Sequence, residues 1–187
     1  MFESLNLFKK PKTSLLSGEL NQLSKIYLNP LSSKKIKKAI EFADKAHEGQ
    51  FRKSGEPFLI HPINVGLTLA SLKMDADTII AGLLHDVVED CEISLPTVKK
   101  EFGKNVAALV DGMTKLLKLD DKLKDQSQAE YFQKMALATA SDVRVVIIKL
   151  ADRLHNLKTI EHLPRKKTNK KGQLNRRKYS TITQENW

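Results

Sequence analysis

A chain of 187 residues with 41% apolar content is long enough for one domain with a real core. It contains no run of about 18 apolar residues, and its start is too short and too interrupted by charge for a signal peptide, so a soluble, cytoplasmic protein is expected; the single cysteine, Cys91, fits a reducing compartment. The net charge of +10 sits at the ends, with eight Lys/Arg against two acids in residues 1–40 and eight against one in 164–187, so a nucleic-acid or ribosome partner would rest on tails rather than on a basic groove.

In chain order, residues 1–31 read as a tether with one short amphipathic stretch, Leu16, Leu20, Leu23 and Tyr27, ended by Asn29-Pro30 and packed on the domain edge. Ser32 or Ser33 is expected to cap a helix through Ala46 that turns Ile36, Ala39, Ile40 and Ala43 inward, with Gly49 just past its end. The stretch Gly49 to Pro57 is a loop by its glycines and proline, and it exposes Arg52 and Lys53 side by side. Pro62 suits the first turn of a helix to about Lys73, with Val65, Leu69 and Leu72 inward and His61 at its start. Asp75 or Asp77 caps a central helix made nearly apolar all round by Ile79, Ile80, Leu83, Leu84 and Val87, and this helix bears His85 and Asp86.

Cys91 reads as an inert helix-end residue. Ser94 and Pro96 open a short helix closed by Gly103, and Val106, Leu109, Val110 and Met113 mark the next. Residues 118–126 are expected to be a charged, solvated connector, followed by a helix over 127–140 with Tyr131, Met135 and Ala138 as its core face. Asp142 to Thr159 has the β-branched content of a buried strand. Its length without a breaker, with Val143, Ile147, Leu150 and Leu154 at helical spacing, predicts a helix instead. On that helix Asp152, Asn156 and Thr159 share a stripe away from the most apolar side. After Pro164 the periodicity is lost, and residues 164–187 read as a loosely ordered basic tail. The domain proper is thus expected over 32–163, and its class is all-α.

The chemistry concentrates in Leu84-His85-Asp86-Val87-Val88-Glu89-Asp90. On a helix, Asp86, Glu89 and Asp90 come to one face, where three carboxylates repel, so the cluster is either a solvated acidic helix end or a metal-centred site. The ligand-capable residues on apolar helices are His61, His85, Asp86 and Asp152. This mixed nitrogen and oxygen set suits Mn²⁺, Fe²⁺ or another octahedral divalent ion with positions left open. Such an ion acidifies water and offsets phosphate charge, and Glu89 and Asp90, one turn on, are placed to orient or deprotonate that water. By its own residues the loop that bears Arg52 and Lys53 reads as an ordinary polar connector.

The order His61, His85-Asp86, Asp152 follows the H…HD…D pattern of the HD phosphohydrolase superfamily. Three longer motifs, Ala46-His47-Glu48-Gly49-Gln50-Phe51-Arg52-Lys53-Ser54-Gly55-Glu56-Pro57 through His61-Pro62, the HD segment above, and Lys149-Leu150-Ala151-Asp152-Arg153-Leu154-His155-Asn156-Leu157, resemble the hydrolase domain of the RelA/SpoT family over roughly residues 36–163. The resemblance implies an HD-domain helical bundle. It also implies Mn²⁺-dependent removal of the 3′-pyrophosphate from guanosine tetra- and pentaphosphate, the alarmone nucleotides of the stringent response.

By position, His61, His85, Asp86 and Asp152 match the family's metal ligands and Glu89 and Asp90 its catalytic acidic pair. Arg52, Lys53 and Ser54, with Asn156 and Thr159, match its nucleotide contacts. His47 is then a structural member of the first helix, and His155 and His162 are expected at the surface. The chain departs from the family at Tyr131, where a smaller polar residue is expected, and after Pro164, where family members continue into helices that close the bundle. It ends before any synthetase domain, so synthesis from ATP is expected to be absent, and the tail marks either a truncated or frame-altered product or a shortened stand-alone hydrolase. Alternative readings are another HD nucleotide phosphohydrolase, or a catalytically impaired module that binds the nucleotide.

Overall fold

The computed structural model describes residues 10–52, 54–122 and 142–159. Among these, every regular element is a helix: α1 (Lys10–Lys25), α2 (Pro30–Ala46), α3 (Ile60–Ser71), α4 (Ala76–Leu84), α5 (Val87–Asp90), α6 (Leu95–Phe102), α7 (Lys104–Lys122) and α8 (Val143–Lys158). Helix α3 lies at the centre, packed against α1, α4 and α8, while α4 also touches α2 and α7, and α6 packs on α7. The class is all-α, as the sequence predicts. The helix expected over 127–140, with Tyr131, lies outside the described residues, as do His162 and the basic segment from 164.

Local chemistry sets the helix ends. Asn29, not Ser32 or Ser33, caps α2: its side chain accepts from the Ser32 backbone N–H with Pro30 at the first position, and Ser33 is buried. Asp75 caps α4 by accepting from both the backbone N–H and the hydroxyl of Thr78. Ser94 caps α6, and Gly103, at φ +97°, ends it in a conformation that a side chain would strain.

Three expectations are corrected. The N-terminal segment is more than a tether at the edge: α1 runs 16 residues and its Leu20 is fully buried against the α3 surface that Gly66 leaves open. Helix α7 continues to Lys122, so residues 118–122 extend the helix rather than begin a loop. Leu72, expected inward, is 60% exposed because α3 has ended at Ser71 and the chain turns away through Lys73 at φ +55°.

The helix at Asp142 to Thr159 is present, capped by Asp142, whose carboxylate accepts from the Arg144 N–H. Its buried face, however, is rotated from the expected one. Val145, Ile148, Ala151, Asp152 and His155 point inward, whereas Val143, Leu150 and Leu154 are 52%, 42% and 42% exposed. Hydrophobicity alone assigns the wrong stripe, because the inner face of α8 alternates apolar residues with the polar residues of the site.

The close approach of α3 and α4 places two of those residues. Gly82 has no side chain where Leu69 passes: a Cβ there would lie 2.4 Å from Leu69 Cδ1. The helices therefore meet almost backbone to side chain, and His61 near the start of α3 reaches His85 just past the end of α4.

Candidate metal and nucleotide site

The central helix does not run straight through the HD pair. α4 ends at Leu84, His85 and Asp86 form a turn, and α5 restarts at Val87 with Asp86 as its cap, whose carbonyl accepts from the Glu89 and Asp90 N–H groups. This break lets His85 point into the core while Asp86 stays partly open. Glu89 and Asp90 follow on the exposed side of the short helix.

Four groups converge on one point. His61 Nε2 lies 3.3 Å from His85 Nε2 and 3.2 Å from Asp152 Oδ1, and His85 Nε2 lies 3.1 Å from Asp86 Oδ1. His61, His85 and Asp86 offer ligand atoms all within 4.8 Å of one another, and Asp152 closes the group from α8 at 3.2 and 3.9 Å from the two imidazoles. The structure thus brings together all four residues expected as ligands. The first three form the tight cluster and Asp152 joins from the opposite side.

Hydrogen-bond direction gives this cluster its meaning. His85 Nδ1 lies 2.8 Å from the Gly82 carbonyl, which can only accept, so Nδ1 is a donor and Nε2 is the nitrogen left to a metal. Burial pushes His61 toward the neutral form. Two imidazoles and two carboxylates then face one another, a mixed nitrogen and oxygen donor set that a divalent cation satisfies. Burial works to raise the Asp152 carboxyl, but His61, His85 and Lys149 outweigh it and hold it well below the usual carboxylate range; Lys149, itself buried, lies 3.5 Å from Asp152 Oδ2.

Around this floor stands a polar lip. Arg52 leaves the loop between α2 and α3 and forks onto α8, with Nη2 donating to Asn156 Oδ1 at 2.6 Å and Nη1 lying 3.2 Å from His155 Nδ1. Asn156 passes the contact inward, its Nδ2 donating to Asp152 Oδ1 at 2.5 Å. The loop is closed by the Arg52 N–H to Glu56 carbonyl bond and the bridge between Phe51 and Pro57. Ser54 donates to Glu56, whose carboxylate also pairs with Lys12 of α1 at 2.5 Å. Thr159 caps α8, its hydroxyl donating to the carbonyls of His155 and Asn156. Lys53 lies outside the described residues.

His155 corrects an expectation: it is not at the surface but 9% exposed, 2.9 Å from His61 Nδ1. Burial, reinforced by His61 and Arg52, pushes its imidazole down to about 4. The signal was present in the spacing, since His155 follows Asp152 by three residues and must share its helix face. His47 behaves as expected. It ends α2, stacks on Phe58 at 4.4 Å and bonds Gln50, and Gln50 ties the loop to the Asp90 carbonyl. Cys91 sits beside His47 at 3.1 Å with its thiol pushed up by burial, which suits an inert role.

The HD-domain family model matches residues 39–182, most of the chain and all of the site. The chain belongs to the HD-domain family. Membership of this HD-domain family implies a divalent metal, which the four converging groups fit. The match runs on through the segment that composition marks as basic.

Among its relatives, the chain is 47% identical over 148 residues to the bifunctional (p)ppGpp synthase/hydrolase SpoT of Escherichia coli K12, covering 79% of this chain and 21% of that protein. It is 48% identical over 145 residues to the guanosine-3′,5′-bis(diphosphate) 3′-pyrophosphohydrolase of Aquifex aeolicus, covering 78% and 20%. The chain therefore spans about a fifth of the length of the curated relatives it matches. A solved structure, described as a metazoan ortholog of SpoT that hydrolyzes ppGpp, is similar with a TM-score of 0.59 and 31% identity over 77% of this chain and 80% of that one. No described helix is long and apolar enough to cross a membrane.

Proposed function

We propose that this HD domain hydrolyses the 3′-pyrophosphate of guanosine tetra- and pentaphosphate, with Mn²⁺ as its ion, to give GDP or GTP and pyrophosphate. The observation that carries the reading is the joint one: a largely buried nest of two imidazoles and two carboxylates lies under a guanidinium fork at the mouth of a loop. The names of the relatives and of the similar structure supply the substrate class. The nitrogen and oxygen donor set, without thiolate, suits Mn²⁺, Fe²⁺ or another octahedral divalent ion, and the resemblance to the RelA/SpoT hydrolase domain points to Mn²⁺ among them.

In this reading His61, His85, Asp86 and Asp152 hold the ion, which when bound offsets phosphate charge and acidifies water. The residues of the chain divide the remaining work. Arg52 and Lys53 meet the nucleotide as a planar fork and a point charge, and Ser54, Asn156 and Thr159 line its path. Glu89 and Asp90 orient the attacking water and take its proton. Burial first, then the charge of Asp86, pushes the Asp90 carboxyl above its ordinary value, which moves it toward the range in which a carboxylate accepts a proton effectively.

Incubation with the guanosine alarmones and Mn²⁺ should release pyrophosphate, and a parallel panel of nucleotide monoesters and nicotinamide dinucleotide phosphate should give little product. Absence of release with every divalent ion tried would overturn the reading, and preference for a monoester would move it to another HD phosphohydrolase activity.

A further inference from the structure

The mouth of the site and its floor are joined by two parallel arms that both begin at Arg52. One runs from Arg52 Nη1 to His155 Nδ1 at 3.2 Å and on to His61 Nδ1 at 2.9 Å; the other runs from Arg52 Nη2 to Asn156 Oδ1 at 2.6 Å and on from Nδ2 to Asp152 Oδ1 at 2.5 Å. His155 and Asn156 are consecutive on α8, and each ends on a group of the nest.

A guanidinium can only donate, and that fixes the polarity of both arms. On the first, His155 Nδ1 must accept, so it carries no proton. His61 Nδ1, facing that lone pair at 2.9 Å, must then be the N–H, and the lone pair of His61 falls on Nε2, the atom 3.2 Å from Asp152 and 3.3 Å from His85. On the second arm, Asn156 must turn its oxygen to Arg52 and its amide N–H to Asp152, which orients the carboxylate. His85 needs no such help, because the Gly82 carbonyl fixes its tautomer directly. His61 has no backbone partner at Nδ1 among the contacts described, so its tautomer depends on His155.

We propose that His155 is a positioning residue and that Arg52, besides meeting the nucleotide, sets the hydrogen-bond polarity that keeps His61 Nε2 bare toward the nest. Metal affinity then depends on a loop residue that lies outside the ligand set, and it does so before any nucleotide binds. The inference rests on the proposed reading only for the ion used as probe.

The test is a calorimetric Mn²⁺ titration of the full chain, stripped of metal and free of nucleotide. His155→Phe removes the acceptor and should weaken Mn²⁺ binding about 10- to 100-fold, the usual effect of losing a group that orients a metal-bound histidine. His155→Asn places Oδ1 where Nδ1 stood, can accept from both Arg52 and His61, and should stay within about threefold of the parent. Arg52→Met frees His155 to reverse its tautomer and should weaken binding by about tenfold. In the metal-free parent, nitrogen-15 spectra of the imidazoles should show His61 protonated at Nδ1.

Parent-like binding by His155→Phe, an Asn variant as weak as the Phe variant, an unchanged Arg52→Met, or His61 protonated at Nε2 would each overturn the proposal. If His155→Phe does not fold, the Asn and Met variants and the spectra of the parent still decide it. Expected binding without pyrophosphate release from alarmone sinks the hydrolase reading alone; hydrolysis with unchanged metal affinity in the variants sinks this link alone; no Mn²⁺ binding by the parent sinks both.

Discussion

The floor and the lip of the site are built on opposite principles. Floor residues sit in helices or just beyond their ends, packed in the core: His61 and His85 are 2% and 1% exposed, and Asp152, inside α8, is 7% exposed. Their groups have fixed partners on several sides, including Gly82, His155, Asn156 and Lys149. The lip is a loop closed by a few backbone bonds and half-exposed side chains, with Arg52 as its one deep anchor. A rigid floor suits an ion that demands fixed geometry, and a looser lip suits a nucleotide that must enter and leave. Damage to the floor should therefore abolish turnover, whereas damage to the lip should show mainly as weaker binding.

The most severe way to separate the two is Asp86→Asn, which keeps the shape and removes a charge from the nest. Pyrophosphate release at saturating nucleotide should fall by about 1,000-fold or more, together with Mn²⁺ affinity, because a charge meant to face a cation is lost at the reacting centre. Retention of a tenth of the activity would place the chemistry elsewhere. Next in size is Arg52→Ala assayed at saturating Mn²⁺. It should lower kcat/KM by about 100-fold, chiefly through KM, as expected for a charge-assisted, bidentate-capable contact to an anionic substrate. A loss confined to kcat would make Arg52 part of the floor and dissolve the distinction.

How much of this was legible in the sequence follows the same line. The helices, most of their caps and the four ligand candidates could be read because apolar periodicity and the spacing of His and Asp are local signals. What the sequence misplaced depends on three-dimensional partners. Apolar spacing turns Val143, Ile147, Leu150 and Leu154 of α8 inward, yet Val143, Leu150 and Leu154 are partly exposed, and the buried stripe holds Asp152 and His155, polar residues that the facing His61 and Arg52 make tolerable inside. Spacing puts His155 on the face of Asp152, but that this face is buried follows only from His61, 94 positions away. The break of the central helix at His85-Asp86 was likewise unreadable, since both residues keep near-helical backbone angles and nothing in the local composition marks the turn.

A gentler probe of the floor uses pH. His155 is pushed down to about 4 in the folded chain, against about 6.5 when unfolded. The unfolded chain therefore binds the proton first as pH falls. Stability should be full above about pH 6.5 and should decline through the window down to about 4, where the folded imidazole also titrates. Allowing for solvent near the mouth, the expected loss is on the order of 1–2 kcal/mol. Denaturant melts of metal-free protein at pH 7.5, 5.5 and 4.5 would measure it, and His155→Asn, which cannot titrate there, should flatten the slope. An unchanged slope in that variant would assign the acid loss to His61, which burial also pushes toward the neutral form. Asp75, raised by burial but held low by Thr78 and Arg144, and Asp142, held low by its Arg144 hydrogen bond, lose their contribution only nearer pH 4 and below, under this window.

The smallest expected effect tests how the lip is held. Lys12 of α1 pairs with Glu56, the residue whose carbonyl takes the Arg52 N–H and whose carboxylate takes the Ser54 hydroxyl. The pair is open to solvent, with Lys12 58% exposed, so its worth is at most about 1 kcal/mol and falls with salt. Lys12→Ala should therefore leave kcat and Mn²⁺ affinity unchanged and raise KM by no more than about threefold at low salt, with the difference vanishing near 1 M salt. A larger rise that persists at high salt would show that α1 shapes the loop through packing rather than charge. A change in Mn²⁺ affinity would mean that the lip reaches the floor even from its outermost contact, and the two regions would have to be treated as one rigid unit.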